Sequence, residues 1–259
     1  MNILFIGDVV GDGGCAFIEK NLRAVKQHYA IDFTIINAEN SAQGNGVIPR
    51  SADRLLDSGA DVLTLGNHGL RRREIYEYLD NENNPIIRPA NWNRNAPGRG
   101  SIILHKGALK IGVINLIGVF GMENVDNPFY AADAAVEALQ SEGCRVIVAD
   151  FHAEATAEKR AMGFYLAGKI SALVGTHTHV PTADEQILPG GTAYITDVGM
   201  TGAMDSCLGI KKELAIEKMK TMLPVRFESP DSPCSLQAVV VEIDETSGKA
   251  RKIERIEVK

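Results

Sequence analysis

MNILFIGDVVGDGGCAFIEKNLRAVKQHYAIDFTIINAEN, Met1 to Asn40, holds the pattern that decides the fold. "NILFI" has the length and residue types of a buried strand. "CAFIEKNLRAVKQHY" repeats apolar residues at helical spacing, and "DFTIIN" is a second strand. The alternation continues outward from there. "RSADRLLDSG" is a helix that stops at Gly59, "DVLTL" a strand and "RREIYEYLDN" a helix. This βαβαβα order predicts an α/β fold with strands side by side.

The second half has a different rhythm. "SIILHKGALKIGVINLI" reads as a hairpin turning at "HKGA", and "EQILPGGTAYIT" as another with a Pro-Gly-Gly turn. Between them come a helix at "AADAAVEALQSEG", a strand at "RVIVAD", a helix at "TAEKRAMGFYLAGK" and a strand at "ISALVG". A helix near "KKELAIEKMKTML" precedes a last hairpin that turns at "TSGK". With no repeat or linker, the chain reads as one domain, residues 1–259, whose mixed sheets are flanked by helices.

Composition bounds the function. A chain of 259 residues, 45% hydrophobic and 23% charged, is an ordinary soluble globular protein with ample material for a core. Its net charge of −6 argues against a general nucleic-acid binder, so no stable nucleic-acid complex is expected. The apolar run "IGVINLIGVF" is too short to span a membrane, and no charged leader precedes "NILFI". Cys15, Cys144, Cys207 and Cys234 lack CxxC spacing and read as reduced thiols. The expected compartment is the cytoplasm.

The residues just past each strand carry the chemistry. "NILFI" leads to Asp8, "TIIN" to Glu39 and Asn40, and "VLTL" to Asn67 and His68. "VIVA" leads to Asp150 and His152, "SALV" to His177 and His179, and "AYIT" to Asp197. Ligand sites of α/β sheets form at the carboxyl ends of strands. Each residue alone has a plain reading: Asp8 as a helix cap, "NAEN" as a polar turn, His152 as a core histidine. Together they converge on one edge. If the strand before "GTHTHV" continued, its period of two would point His177 and His179 the same way.

Imidazole, carboxylate and amide oxygens suit manganese, iron and zinc, and the lack of a thiolate argues against a structural zinc site. Asp8, Glu39, Asn40, Asn67, His152, His177 and His179 are too many ligands for one ion. Two divalent ions about 3.5–4 Å apart use that number, activate a water between them and clamp both oxygens of an in-line displacement.

The blocks "GDVVG", "NAEN", "GNH", "DFHAEAT", "GTHTHV" and "TDVGMTG" occur in an order that closely resembles the YmdB-type branch of the calcineurin-like metallophosphoesterases. The resemblance runs from Asn2 to the last hairpin. It implies a four-layer α/β/β/α sandwich with two mixed sheets and a dinuclear site of iron or manganese, with zinc also suited. It places Asp8 and His179 on one ion with Asn40 nearby, and Asn67, His152 and His177 on the other. Glu39 bridges them, and His68 faces the substrate without binding metal. The implied activity is phosphodiesterase action on 2′,3′-cyclic nucleotides, tied in some members to RNA turnover. A metal-bridging hydroxide would attack and His68 would assist the leaving group. A homo-oligomer would be in keeping with the family.

One block departs from the pattern. After "GNH" the branch has an aromatic and an acidic residue, whereas this chain has Gly69-Leu70-Arg71. The change is either a tolerated helix start or an altered pocket in which Arg71 grips phosphate. Asn91 in "RPANWN" is a second candidate for the pocket wall. "GFYLAGKI" matches a P-loop spacing but lacks its Ser/Thr and sits in a helix, and the "GDGGCA" glycines suit a tight turn better than a dinucleotide site. Two rival functions remain open on sequence: a phosphomonoesterase or nucleotidase, and a metal-binding regulatory protein with weak turnover.

Overall fold

A computed structural model of the chain describes residues 1–122 and 124–259. Its first half runs β1 (Asn2–Ile6), β2 (Asp8–Val9), α1 (Gly11–His28), β3 (Phe33–Asn37), α2 (Pro49–Asp57), β4 (Val62–Thr64) and α3 (Tyr76–Asp80). Then come β5 (Ser101–Lys106), β6 (Leu109–Ile117), α4 (Pro128–Ser141), β7 (Val146–His152), α5 (Thr156–Leu166) and β8 (Ala172–Thr176). The remainder is β9 (Gln186–Leu188), β10 (Thr192–Ile195), β11 (Met200–Ala203), α6 (Lys212–Thr221), β12 (Cys234–Ile243) and β13 (Ala250–Val258).

Two mixed sheets result. The first has the order β2-β11-β12-β1-β3-β4, with β13 on the other edge of β12, and β1, β3 and β4 run parallel. The second has the order β5-β6-β7-β8-β10-β9, parallel from β6 to β10 and closed at each side by an antiparallel strand. All three expected hairpins are present. The helix expected around "RREIYEYLDN" is shorter, a 3₁₀ turn at Arg73–Ile75 followed by α3.

The strands are apolar on both faces because both faces are covered. Ile3 and Phe5 join Phe33, Ile35, Val146, Val148 and Val174 in a core between the sheets. Leu4, Ile6 and Ile36 face the other way, onto Ile18, Leu22 and Val25 of α1 and Leu55 of α2. Ile147, Ala149 and Leu173 likewise meet Val136 and Leu139 of α4 and Met162 of α5. Helix, sheet, sheet, helix is therefore the layer order. Burying each of Ile18, Leu22 and Val25 contributes about 1.5–3 kcal/mol, which offsets the weak start of α1, where the N-cap residue Val10 has no side-chain acceptor for the first N–H groups. The "GDGG" glycines open this helix. Gly14 lies so near the Thr201 carbonyl that a Cβ would meet it at 2.5 Å, so the helix start packs directly on β11.

Between the sheets, each strand turns polar toward its carboxyl end without changing face. On β3 the inward residues are Phe33, Ile35, then Asn37; on β4 they are Val62, then Thr64. On β7 they are Val146, Val148, then Asp150 and His152, and on β8 Ala172, Val174, then Thr176. The period of two thus delivers a polar floor at one end of an apolar layer.

Candidate metal centre

On that floor sits Asp150, wholly buried, accepting from Thr64 Oγ1 at 2.5 Å, Thr176 Oγ1 at 2.7 Å and Asn37 Nδ2 at 2.9 Å. Burial pushes its carboxyl up to about 7 against these three bonds. The Thr176 hydroxyl has one proton, which goes to Asp150. Its oxygen then accepts from His152 Nδ1, 2.9 Å away. His152 is thereby left with a lone pair on Nε2. Burial lowers this histidine to about 4, so its ring is neutral.

His152 Nε2 points into a gap between the sheets. Asn67 Oδ1 lies 3.0 Å from it, His177 Nδ1 3.1 Å and Glu39 Oε2 3.3 Å. Ligand atoms of Glu39, His152 and His177 fall within 4.8 Å of one another. The far nitrogen of His177 meets Glu154 Oε2 at 3.2 Å, and that of His179 meets the Leu208 carbonyl at 3.1 Å. An acceptor on the outer nitrogen turns the inner one toward the gap, as histidine ligands require.

Asp8, His179 and Asn40 form the neighbouring lobe. His179 Nε2 is 3.7 Å from Asp8 Oδ1 and 3.3 Å from Asn40 Nδ2. Burial alone would raise the Asp8 carboxyl, but the polarity and charge of His179 hold it far below the usual range. Burial alone would lower His179, but Asp8 in turn holds it above its ordinary value. Glu39 stands between the lobes, Oε2 toward His152 and Oε1 receiving Asn40 Nδ2 at 2.7 Å. Burial raises its pKa, and the neighbouring His152 imidazole with the hydrogen bond from His68 more than reverses this.

The donor set fits divalent cations. Asp8 Oδ1 is buried with no hydrogen-bond partner, an anionic oxygen that a cation would satisfy. Gly66 lies so close that a Cβ would overlap Glu39 Oε2 and His152 Nε2, so the gap is kept open on that side by a missing side chain.

His68 sits at the mouth. Its Nδ1 is 3.0 Å from Glu39 Oε1 and 2.9 Å from Asn40 Oδ1, both acceptors, so Nδ1 carries the proton and Nε2 is left unshared. Above it opens a cavity of about 1100 Å³ lined by His68, His177, His179, Arg72, Arg226 and Phe227, among others.

The backbone differs from the sequence expectation at "GTHTHV". β8 ends at Thr176, and His177 and His179 come after it with φ of +102° and +63°. They converge because the chain is bent there, not by strand alternation. The bend is held from behind. Lys159 Nζ, fully buried, donates to the Thr176 carbonyl at 2.6 Å and to Asp197 Oδ2 at 2.7 Å, and Asp197 also receives Thr178 N. Asp197 therefore supports the loop and does not face the gap.

Two expected pocket residues lie elsewhere. Asn91 is buried, and its amide clasps the Ile117 backbone and the Asp126 carbonyl. Arg71 is exposed and does not line the cavity. Its neighbour Arg72 does, with its guanidinium bound to the Gln43 and Asn45 carbonyls at 2.7 and 3.0 Å. Leu70 packs on the α1–α2 core, which accounts for an apolar residue there. The sequence reading did not single out Glu154, Thr176 or Lys159. Glu154 had a signal, since Asp150, His152 and Glu154 alternate along one block.

The family model described as "YmdB-like protein" matches residues 4–256. The chain is 46% identical over 256 residues to a 2′,3′-cyclic-nucleotide 2′-phosphodiesterase of Bacillus subtilis (strain 168), covering 99% of this chain and 96% of that one. It superposes on a hypothetical protein of Thermus thermophilus with a TM-score of 0.93 at 35% identity, covering 100% of this chain and 99% of the other. A phosphatase from Mycoplasma pneumoniae gives a TM-score of 0.91 at 32% identity, over 100% and 93% of the two chains. Among the described residues, no helix is long and apolar enough to cross a membrane.

Proposed function

The chain belongs to the YmdB-like protein family, and from that premise we propose that it is a metal-dependent phosphodiesterase acting on small phosphodiesters, 2′,3′-cyclic nucleotides above all. The observation that carries this reading is the convergence of three histidines, two carboxylates and two asparagines from both sheets beneath an open cavity. Asn67, His152 and His177 would hold one divalent ion and Asp8, His179 and Asn40 a second, with Glu39 between them. Bound there, the ions supply Lewis acidity toward the phosphoryl oxygens.

The chain's own residues do the rest. Glu39 and Asn40 fix the ring of His68 through Nδ1, which aims Nε2 at the cavity. In its imidazolium form the ring carries a second proton on Nε2, which passes to the departing ribose oxygen as water adds to phosphorus and the ring P–O bond breaks; the proton released by the water restores the imidazolium. The leaving group stays tethered, so the product is one nucleoside monophosphate. The name of the Bacillus relative specifies the 2′ ester, and the same bond cleaved here leaves a 3′-monophosphate.

The test is hydrolysis of 2′,3′-cyclic AMP with Mn²⁺ by wild type and His68→Ala. The expected result is turnover by wild type, accumulation of 3′-AMP, and a loss of about a hundredfold or more in the variant with its metal content unchanged. A wild-type protein that binds Mn²⁺ yet leaves the diester intact overturns the reading.

A further inference from the structure

The cavity has one wall that the phosphoryl chemistry does not use. Among the described residues, Phe227 is the only Phe, Tyr or Trp side chain that lines it, and Arg226 lines it alongside. The ring is 48% exposed, in a stretch between α6 and β12 without regular structure. The chain is nonetheless anchored just past the ring. Lys211 N donates to the Glu228 carbonyl at 2.8 Å, and Lys211 Nζ pairs with Glu228 Oε2 at 2.7 Å. Ser229 approaches the start of α1, where its Oγ would sit 3.8 Å from a Cβ placed on Gly11. The Lys211–Glu228 contacts thus anchor the chain one residue beyond Phe227.

A large apolar ring held in water at the mouth of a polar cavity calls for a ligand with a flat apolar part. The same cavity is lined by His68, His177 and His179, which call for an anion. At about 1100 Å³ the cavity has room for both parts of one molecule. We infer that Phe227 is the base platform of the site: the substrate's nucleobase stacks on its ring while the phosphodiester lies over the histidines. The inference rests on the phosphodiesterase reading and adds the part of the substrate that is recognised. Stacking tolerates any base, because every base has a π-face, so discrimination is between substrates with and without a base.

The experiment compares 2′,3′-cyclic AMP with glycerol 1,2-cyclic phosphate, which keeps the five-membered diester and lacks the base. Wild type, Phe227→Ala and Phe227→Trp are assayed with Mn²⁺. Phe227→Ala should lower the ratio of kcat/KM between the two substrates by about tenfold or more, through KM for cyclic AMP, and Phe227→Trp should restore it. An unchanged ratio overturns the inference, including the case where Phe227→Ala alters only the oligomeric state on gel filtration. If wild type hydrolyses neither diester, the phosphodiesterase reading fails on its own. Binding of 3′-AMP by calorimetry then decides the platform: weakened by Phe227→Ala it stands, and equal affinity removes it.

Discussion

Each histidine at the gap is oriented by an acceptor on its outer nitrogen, and each acceptor is of a different kind: the Thr176 hydroxyl, the Glu154 carboxylate and the Leu208 carbonyl. The Thr176 hydroxyl is the most constrained, because it accepts from His152 while donating to Asp150. Thr176→Val keeps the shape and removes both roles. Its Mn²⁺ affinity, measured by calorimetry, should fall about 10–100-fold, and Thr176→Ser should retain most of it. Equal affinities in all three proteins would make Thr176 a packing residue only. At this scale the gap residues were legible and their supports were not. Asp8, Glu39, Asn67 and His152 announce themselves as polar residues after apolar runs, which needs only chain order. Arg71 and Arg72 show the converse. They are adjacent basic residues of which only Arg72 lines the cavity, its guanidinium held by the Gln43 and Asn45 carbonyls of a loop distant in sequence.

At the level of elements, the hairpins were the plainest reading, since a glycine-bearing turn between two β-prone runs fixes both strands. Strands β2 and β11 were not read, because two residues make no run and "MTGA" has no β-branched apolar pair to mark it. The last hairpin also gives a pH prediction. Its turn is organised by Asp244, which accepts from the backbone of Ser247 and Thr246 and pairs with Arg251. The Ser247 bond, then that pairing and the Thr246 bond, lower the carboxyl from its ordinary 3.8 to about 2. A carboxyl lowered on folding favours the ionised native state. Its contribution is complete above the unfolded value near 4 and is lost as pH falls through about 2. Thermal midpoints of wild type and Asp244→Asn should differ at pH 6 and draw together between about pH 4 and 2. A gap that stays constant across that range would mean the charge on Asp244 does not matter to the turn.

The whole molecule is two sheets joined by an apolar layer that ends in a polar gap, and the gap is where metal should act on stability as well as chemistry. Asp8, Glu39 and Asn67 belong to the first sheet and its loops, while His152, His177 and His179 belong to the second. The two-sheet plan could be inferred from the change of rhythm between the halves of the sequence. The facing of the sheets could not, because it depends on which alternate residues of doubly apolar strands meet. An ion held from both sides binds the native arrangement and not the unfolded chain, so it stabilises by mass action. At a hundredfold excess over Kd one site contributes about 2.7 kcal/mol, which for a chain of this size raises the midpoint by roughly 5–10 °C. Protein stripped with a chelator should therefore melt lower than protein in Mn²⁺, with a midpoint that climbs with the logarithm of Mn²⁺ concentration. His177→Ala, which takes away one proposed ligand from the second sheet, should flatten that climb. If stripped and Mn²⁺-loaded wild type melt together, the gap does not hold metal, and Asp8 Oδ1 must be satisfied in some other way.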